Sequence, residues 1–330
     1  MRPQKDLIIA SRNFLREDRS RSWKETIITL AGLSACFAIG FLPVIWMLKS
    51  VNTLLLALFY VRMFTIYHDY QHHAIFQGSK TAKLIMKAFG IFILAPQNIW
   101  KRSHDHHHTN NSKLTVQGIG SYPTICTKQY NSLSKKEKMT YLINRHPLTI
   151  VMGYFTLFIY WLNIKSLVQS PGKHRDSLIA LVIHFAASIL IYIYFGVTTY
   201  MLAWFMPFFI AFAMGSYLFY CQHNFPGVIF SGKEEWRYEE AAIKSTSFMV
   251  MNPVMQWFTG NIGYHHVHHL NSRIPFYRLP EAMAGIPELH NPPKTSWNPF
   301  EIIRCLRLKL WDAKQNKMIR LDEQPYPEVI

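Results

Sequence analysis

Charged residues vanish from this chain in long blocks. Thr26 to Leu48 is 23 residues without one, Val51 to Tyr67 follows with Arg62 as its single charge, and Ser177 to Gly232 runs for 56 residues without Asp, Glu, Lys or Arg. A helix needs about 20 apolar residues to cross roughly 30 Å of hydrocarbon. The first two blocks therefore predict a hairpin of two spans, 26–48 and 51–67, turning at Lys49–Ser50. The third is too long for one crossing and predicts two, 177–197 and 199–220, with a turn near Gly196 to Thr199. Two shorter apolar runs, Ala88 to Trp100 interrupted by Pro96 and Pro147 to Ile164, predict interfacial or re-entrant helices. The expected fold is an all-α integral membrane protein in a single domain, 1–330. It has about four transmembrane helices, interfacial helices, and a cytosolic helical cap made from residues 68–146 and 223–330. The polar tail after Leu310 is expected to be extended.

Composition agrees with a membrane protein: half of the chain is hydrophobic, and only 16% of it is charged. The 35 Lys+Arg against 19 Asp+Glu lie mostly in the polar stretches beside the apolar blocks, which suits anionic headgroups or an acidic protein partner. No nucleic-acid-binding motif accompanies this charge, so nucleic acid is not an expected partner. Seven Lys/Arg fall in the first 25 residues and eleven, against three acids, between His68 and His146, while the predicted loop between the first spans holds Lys49 alone. Positive charge stays on the cytosolic side, so both ends of that hairpin and both termini are expected there. No cleavable signal peptide is expected, because the first 22 residues are polar and basic and the apolar run after them is of full spanning length. Cys36, Cys126, Cys221 and Cys305 are far apart and form no C-x-x-C pair, which argues against an iron–sulfur cluster or a disulfide framework.

The chemistry lies in histidines at the edges of these blocks. They read His68-Asp-Tyr-Gln-His72, His104-Asp-His-His107-His108 and His265-His-Val-His268-His269, with His223 in Tyr-Cys-Gln-His-Asn. Neutral imidazole is the usual nitrogen ligand of Fe, Zn, Cu or Ni. On a helix, residues at i, i+3 and i+4 share a face. That rule groups His104, His107 and His108 with His106 pointing away, His265, His268 and His269 with His266 to the side, and His68 with His72 while His73 is displaced. His223 follows the last span and supplies a ninth nitrogen. Nine exceed the three or four protein ligands of one zinc or copper ion, so two metals are inferred. Iron is favoured, since two redox-active ions can handle dioxygen whereas water activation by zinc needs one ion. The Glu-x-x-His pairs of soluble di-iron bundles do not occur in these clusters. Asp69 and Asp105 read instead as acceptors that orient ligand ring N–H groups. His146, His174, His184 and His290 stand alone and read as structural or surface residues. Clusters that share a site must share a membrane face. The chain therefore crosses an even number of times between His108 and His223, which puts 147–164 in the interface.

These residues closely resemble the three histidine boxes of the membrane fatty acid desaturases, in His68 to His72, Trp100 to Thr109 and Gly260 to Leu270. The third box continues as Asn-Ser-Arg-Ile-Pro-Phe-Tyr-Arg-Leu-Pro, similar to the acyl-lipid branch of bacteria and plastids, and Gln222-His223 matches that branch's histidine after the last span. The resemblance covers roughly residues 60 to 290. It implies an oxygen-dependent enzyme that uses two Fe ions, with O2 as co-substrate, to remove two hydrogens from an acyl chain, giving a cis double bond, most naturally in a membrane lipid. The His-Pro-Gly-Gly signature of a fused cytochrome b5 domain is absent, since His146-Pro147 is followed by Leu148. The resemblance then implies electrons from a separate ferredoxin or cytochrome b5 type carrier, which the basic face would suit; positive-inside topology accounts for the same charge. Acid–base chemistry cannot break a methylene C–H bond, so the oxidising power must come from the metals while the protein positions the chain. A membrane di-iron hydroxylase or ketolase of a lipid or hydrocarbon shares that chemistry, and the sequence after the third box favours desaturation over it. A metal transporter would carry ionisable groups inside the spans, where only His184 is found.

Overall fold

A computed structural model describes residues 4–116 and 118–324 of the chain. It is mostly helical. A short α1 (Gln4–Ser11) precedes α2 (Arg19–Gly40), which Asp18 caps by accepting a hydrogen bond from the Arg21 backbone N–H, and α3 (Trp46–Gln71) follows. The hairpin between α2 and α3 therefore turns over residues 41–45, and Lys49 and Ser50, expected in the turn, lie inside α3. Pro43 is the physical reason: it has no N–H to donate and its ring clashes with the preceding turn. Absence of charge tells how much chain tolerates lipid, not where the backbone reverses.

After α3, α4 (Lys80–Phe92) and α5 (Gln97–Asn110) meet at an 89° bend, with Pro96 at the N-cap of α5. Next come α6 (Thr127–Ser132), α7 (Lys135–Asn144), opened by a Ser134/Glu137 capping box, and α8 (Pro147–Val151). A wide-turned segment, Tyr154–Lys165, then leads into α9 (Ser166–Gln169). The Asn163 side chain donates to the Leu94 carbonyl (2.7 Å), which fixes this segment against the α4–α5 bend.

The longest apolar block forms α10 (Arg175–Tyr200) and α11 (Met206–Cys221). Gly196, at φ 76° and ψ 171°, breaks α10, in a conformation that a side chain would oppose. Beyond it the chain doubles back. The Trp204 indole donates to the Ser188 hydroxyl at 2.8 Å, whereas 16 residues of straight helix would separate them by about 24 Å. The block is thus a hairpin that reverses beyond Gly196. Val182, Ile183, Ile189, Leu190 and Ile193 are exposed along α10, a surface suited to lipid. By length and hydropathy, α3 and the unit Arg175–Cys221 qualify as membrane-crossing.

The cap contains α12 (Tyr238–Lys244), α13 (Pro253–Phe258), α14 (His265–Leu270), α15 (Leu279–Gly285) and α16 (Pro299–Arg307). It also holds two small sheets: β1 (Phe248–Val250) runs parallel to β2 (Lys294–Ser296), and β3 (Leu308–Asp312) pairs antiparallel with β4 (Lys317–Arg320). The tail expected to be extended is therefore largely a hairpin, its turn held by the Asp312 carboxylate, which accepts from the Lys314 and Gln315 backbones. Strands this short leave too few positions for alternation to show in the sequence. Residues 325–330 of that tail lie outside the described residues.

One face of α3 holds the cap in place. Arg62, Thr65 and Asp69 are spaced i, i+3 and i+7 and share a side of the helix. Arg62 is buried; it pairs with Glu25 (2.5 Å) and donates to Thr29 Oγ1 (3.0 Å) on α2 and to the Trp257 carbonyl on α13. Thr65 donates to the Thr259 carbonyl (3.1 Å), and Asp69 Oδ2 accepts from the Phe276 N–H (2.6 Å). Gly260 passes close to this rail at φ +55°, where a Cβ would sit 2.7 Å from Thr65 Cγ2. Losing one partner of a buried ion pair leaves the other charge uncompensated, at about 3–5 kcal/mol. Arg62→Leu should therefore lower the unfolding midpoint in detergent strongly, and Arg62→Leu with Glu25→Leu should recover part of the loss. A single variant as stable as the parent would show that the pair does not hold α2 and α13 to α3.

Candidate metal centre

Four structural elements deliver the nine histidines to one place. His68 lies in the last turn of α3 and His72 caps it; His104, His107 and His108 are on α5; His223 is two residues beyond α11; His265, His268 and His269 are on α14. Their nitrogens fall into two groups. His68, His72, His104, His108 and His268 form one, and His107, His223, His265 and His269 the other, with the ligand atoms of each group within 4.8 Å of one another. All are buried except His223, which is half-buried. The shared helix face divides by its i, i+4 pairs: His104 and His108 go to the first group and His107 to the second, while His265 and His269 go to the second and His268 to the first.

The donor set fits a cation in each group. His104 Nε2 lies 2.9 Å from His68 Nε2 and 3.1 Å from His108 Nε2, which is itself 3.1 Å from His268 Nε2. In the second group His223 Nε2 lies 3.0 Å from His107 Nε2 and 2.9 Å from His265 Nε2. A ring nitrogen offers one proton or one lone pair, so these contacts cannot all be hydrogen bonds, whereas a shared ion takes a lone pair from each. Burial, and after it the neighbouring imidazoles, pushes His265, His268 and His269 well below the usual histidine range, and burial takes His223 to about 3. These rings are neutral at physiological pH, the form that binds metal.

The surrounding residues orient them. Asp69 Oδ1 lies 3.2 Å from His68 Nδ1. A carboxylate only accepts, so Nδ1 carries the proton and Nε2 keeps its lone pair. Trp100, one turn before His104, stacks on that ring with centroids 4.5 Å apart. Asp105, expected in the same role as Asp69, instead pairs with Lys101 at 2.7 Å on the outer side of α5, because one residue of helix turns it about 100° away from His104. His73 is exposed, and His106 reaches toward the Ile119 carbonyl. His266 is fully buried and lies 3.3 Å from the Leu289 carbonyl, so it serves packing. His184 bonds the Tyr154 hydroxyl and His146 accepts from the Leu148 N–H; neither joins a histidine group.

A cavity of about 760 Å³ reaches both groups, with His68, His104 and His265 in its wall. This is near the upper end of the roughly 300–1,000 Å³ typical of small-molecule sites. Tyr60, Val61, Phe64 and His68 line it along α3, so it extends about 12 Å along that helix from the first group. Phe158, Leu162 and Phe212 make its opposite walls apolar, while Arg102, Lys165 and Gln169 give it a polar portion. The sequence carried no signal for these walls, since they come from distant segments and are ordinary apolar positions within each.

A family model described as "Fatty acid desaturase" matches residues 45–299. Among curated proteins, a "Fatty acid desaturase" of Bacillus subtilis is 31% identical over 84% of this chain and 79% of its own length. An "sn-1 oleoyl-lipid 12-desaturase" of Synechocystis sp. is 22% identical over 88% of the chain and 81% of its own length. An "Omega-6 fatty acid desaturase, chloroplastic" of Spinacia oleracea is 23% identical over 73% of the chain and 54% of its own length. The chain belongs to the fatty acid desaturase family.

Proposed function

We propose that this protein introduces a cis double bond into an acyl chain of a membrane lipid, using two iron ions held by the nine histidines, dioxygen, and electrons from a separate ferredoxin or cytochrome b5 type carrier. The observation that carries the reading is the long apolar cavity whose wall includes histidines of both groups. A fatty acyl chain has that shape and polarity. The sequence after the third histidine box, and relatives named for oleoyl-lipid desaturation, support a lipid-linked substrate.

Bound iron supplies the redox chemistry for breaking unactivated C–H bonds with dioxygen. The chain's own residues do the rest. Phe64, Phe158 and Phe212 exclude water and confine the acyl tail beside His68, His104 and His265, which sets the methylenes that react. Asp69 holds the His68 ring in one tautomer and orientation. Dioxygen, the two substrate hydrogens, two protons and two electrons balance as two waters and the alkene. We further propose four crossings, by the apolar parts of α2 and α3 on either side of the turn at residues 41–45 and by 177–197 and 199–220. Both termini and all histidine boxes then face the cytosol, and the excess of Lys and Arg there suits an acidic electron carrier.

Alanine at any of His68, His72, His104, His107, His108, His223, His265, His268 or His269 should remove activity and lower bound iron, while His73→Ala and His106→Ala retain both. His266→Ala should keep iron and lose stability, given its burial. Wild-type iron content and turnover in His107→Ala would refute the ligand set. Cysteine labelling in intact membranes should find positions near His104 and His265 accessible from the same, cytosolic side; opposite sides would overturn the shared site. Expressed in a host that supplies reduced ferredoxin, the protein should produce a fatty acid two hydrogens lighter by mass spectrometry, and this species should be lost when dioxygen is withheld. A product heavier by one oxygen would make it a hydroxylase instead.

A further inference from the structure

Arg145, just after α7, is fully buried, and no carboxylate pairs with it among the described residues. Its guanidinium is held by neutral acceptors. One terminal nitrogen donates to the Pro123 carbonyl (2.6 Å) and Thr124 Oγ1 (2.7 Å). The other donates to Asn224 Oδ1 (2.5 Å), the Tyr220 hydroxyl (3.1 Å) and the Leu308 carbonyl (3.2 Å). A buried cation without a counter-charge is costly, so its bonds must hold something in place.

Tyr220 and Asn224 lie on either side of His223. That histidine differs from the other eight: each of those sits in a helix or, for His72, directly at its cap, whereas His223 rides on the turn after α11. Helix packing does not fix it. The same two neighbours also reach the junction of α16 and β3, as Asn224 Nδ2 donates to the Cys305 carbonyl (2.7 Å) and the Tyr220 hydroxyl donates to the Leu308 carbonyl (3.2 Å). The β3–β4 hairpin lies beyond residue 299, where the family match stops. A cavity of about 30 Å³, room for a water, has His107 and His223 in its wall together with Arg145, Tyr220 and Asn224.

Building on the two-metal reading, we propose that Arg145 is a positioning residue for the second metal. It locks the turn that presents His223 to His107, His265 and His269, and through it the junction of α16 and β3 braces that ion. Among the described residues, none of the hydrogen bonds named above ends on a histidine of the first group, so breaking them should act on the second group selectively. Supporting residues around metal ligands typically change affinity roughly 10–100-fold.

The test is stepwise titration of the full-length, metal-free protein in detergent with ferrous iron under anaerobic conditions, reading ions per chain and the Mössbauer spectrum. Wild type should bind two ions. Arg145→Lys keeps the charge but loses the fork; it should bind the first ion as wild type does and the second roughly 10–100-fold more weakly. Asn224→Ala should do the same, and the double variant should be no worse than the poorer single one, because both break one linkage. If Arg145→Lys fails to fold, Tyr220→Phe, which removes a single hydroxyl, should still show the selective loss. Folded variants that hold both ions as tightly as wild type, or lose both in parallel, would overturn the proposal while leaving the metal reading intact. A wild type that binds fewer than two ions would overturn both.

Discussion

Everything in this molecule has to satisfy one requirement: nine imidazoles from four separate elements must converge as two groups, the ligand nitrogens of each group lying within 4.8 Å of one another. Neither α5 nor α14 serves one group alone. Each gives an i, i+4 pair to one and a single ring to the other, so a rotation or slide of either helix would disturb both. Sites of this kind tolerate about 0.5 Å of displacement. That constraint explains the dense polar fastening of the cap to α3 through Arg62, Thr65 and Asp69. It also explains why the tail of the third histidine box, at Phe276, is bonded to the acid that orients His68.

Much of this was legible in the sequence because it is local. Helical periodicity picked out eight of the nine histidines and set aside His73, His106 and His266, His223 was added from its place just after the last apolar block, and Gly196 stands where that block reverses. What escaped depends on contacts between distant segments. The division of each box between two groups is invisible to spacing, which reports a face and not the partner that meets it. Asp105 misled for the opposite reason: adjacency to a ligand in sequence suggested contact, but Lys101 lies along its own helix and takes the carboxylate. The first hairpin turn was displaced because the uncharged run continues through Pro43. Arg145 gave no signal, since a lone arginine beside basic residues reads as surface charge until its burial is seen.

The two buried arginines solve different problems. Arg62 has a carboxylate and joins long helices to the cap, so its charge is compensated where it sits. Arg145 has none among the described residues, and its five neutral acceptors come from three separate stretches of chain. A planar guanidinium suits that task because its donors point in fixed directions. Lysine, a single rotatable point charge, cannot reproduce the fork.

Where such fastening occurs follows from where helical rigidity runs out. His68, at the end of 26 residues of α3, and His104, midway along α5, inherit their positions from helices packed along much of their length. By contrast α14 is six residues long, far below the roughly 12–15 residues at which a helix begins to hold itself in water, and His223 has no helix at all. These are the ligands whose surroundings carry the bonds: Thr65 and Arg62 before α14, Asp69 after it, Arg145 around His223. Long helices hold their ligands through packing along their length, whereas His223 and the short α14 depend on polar anchors from elsewhere in the chain.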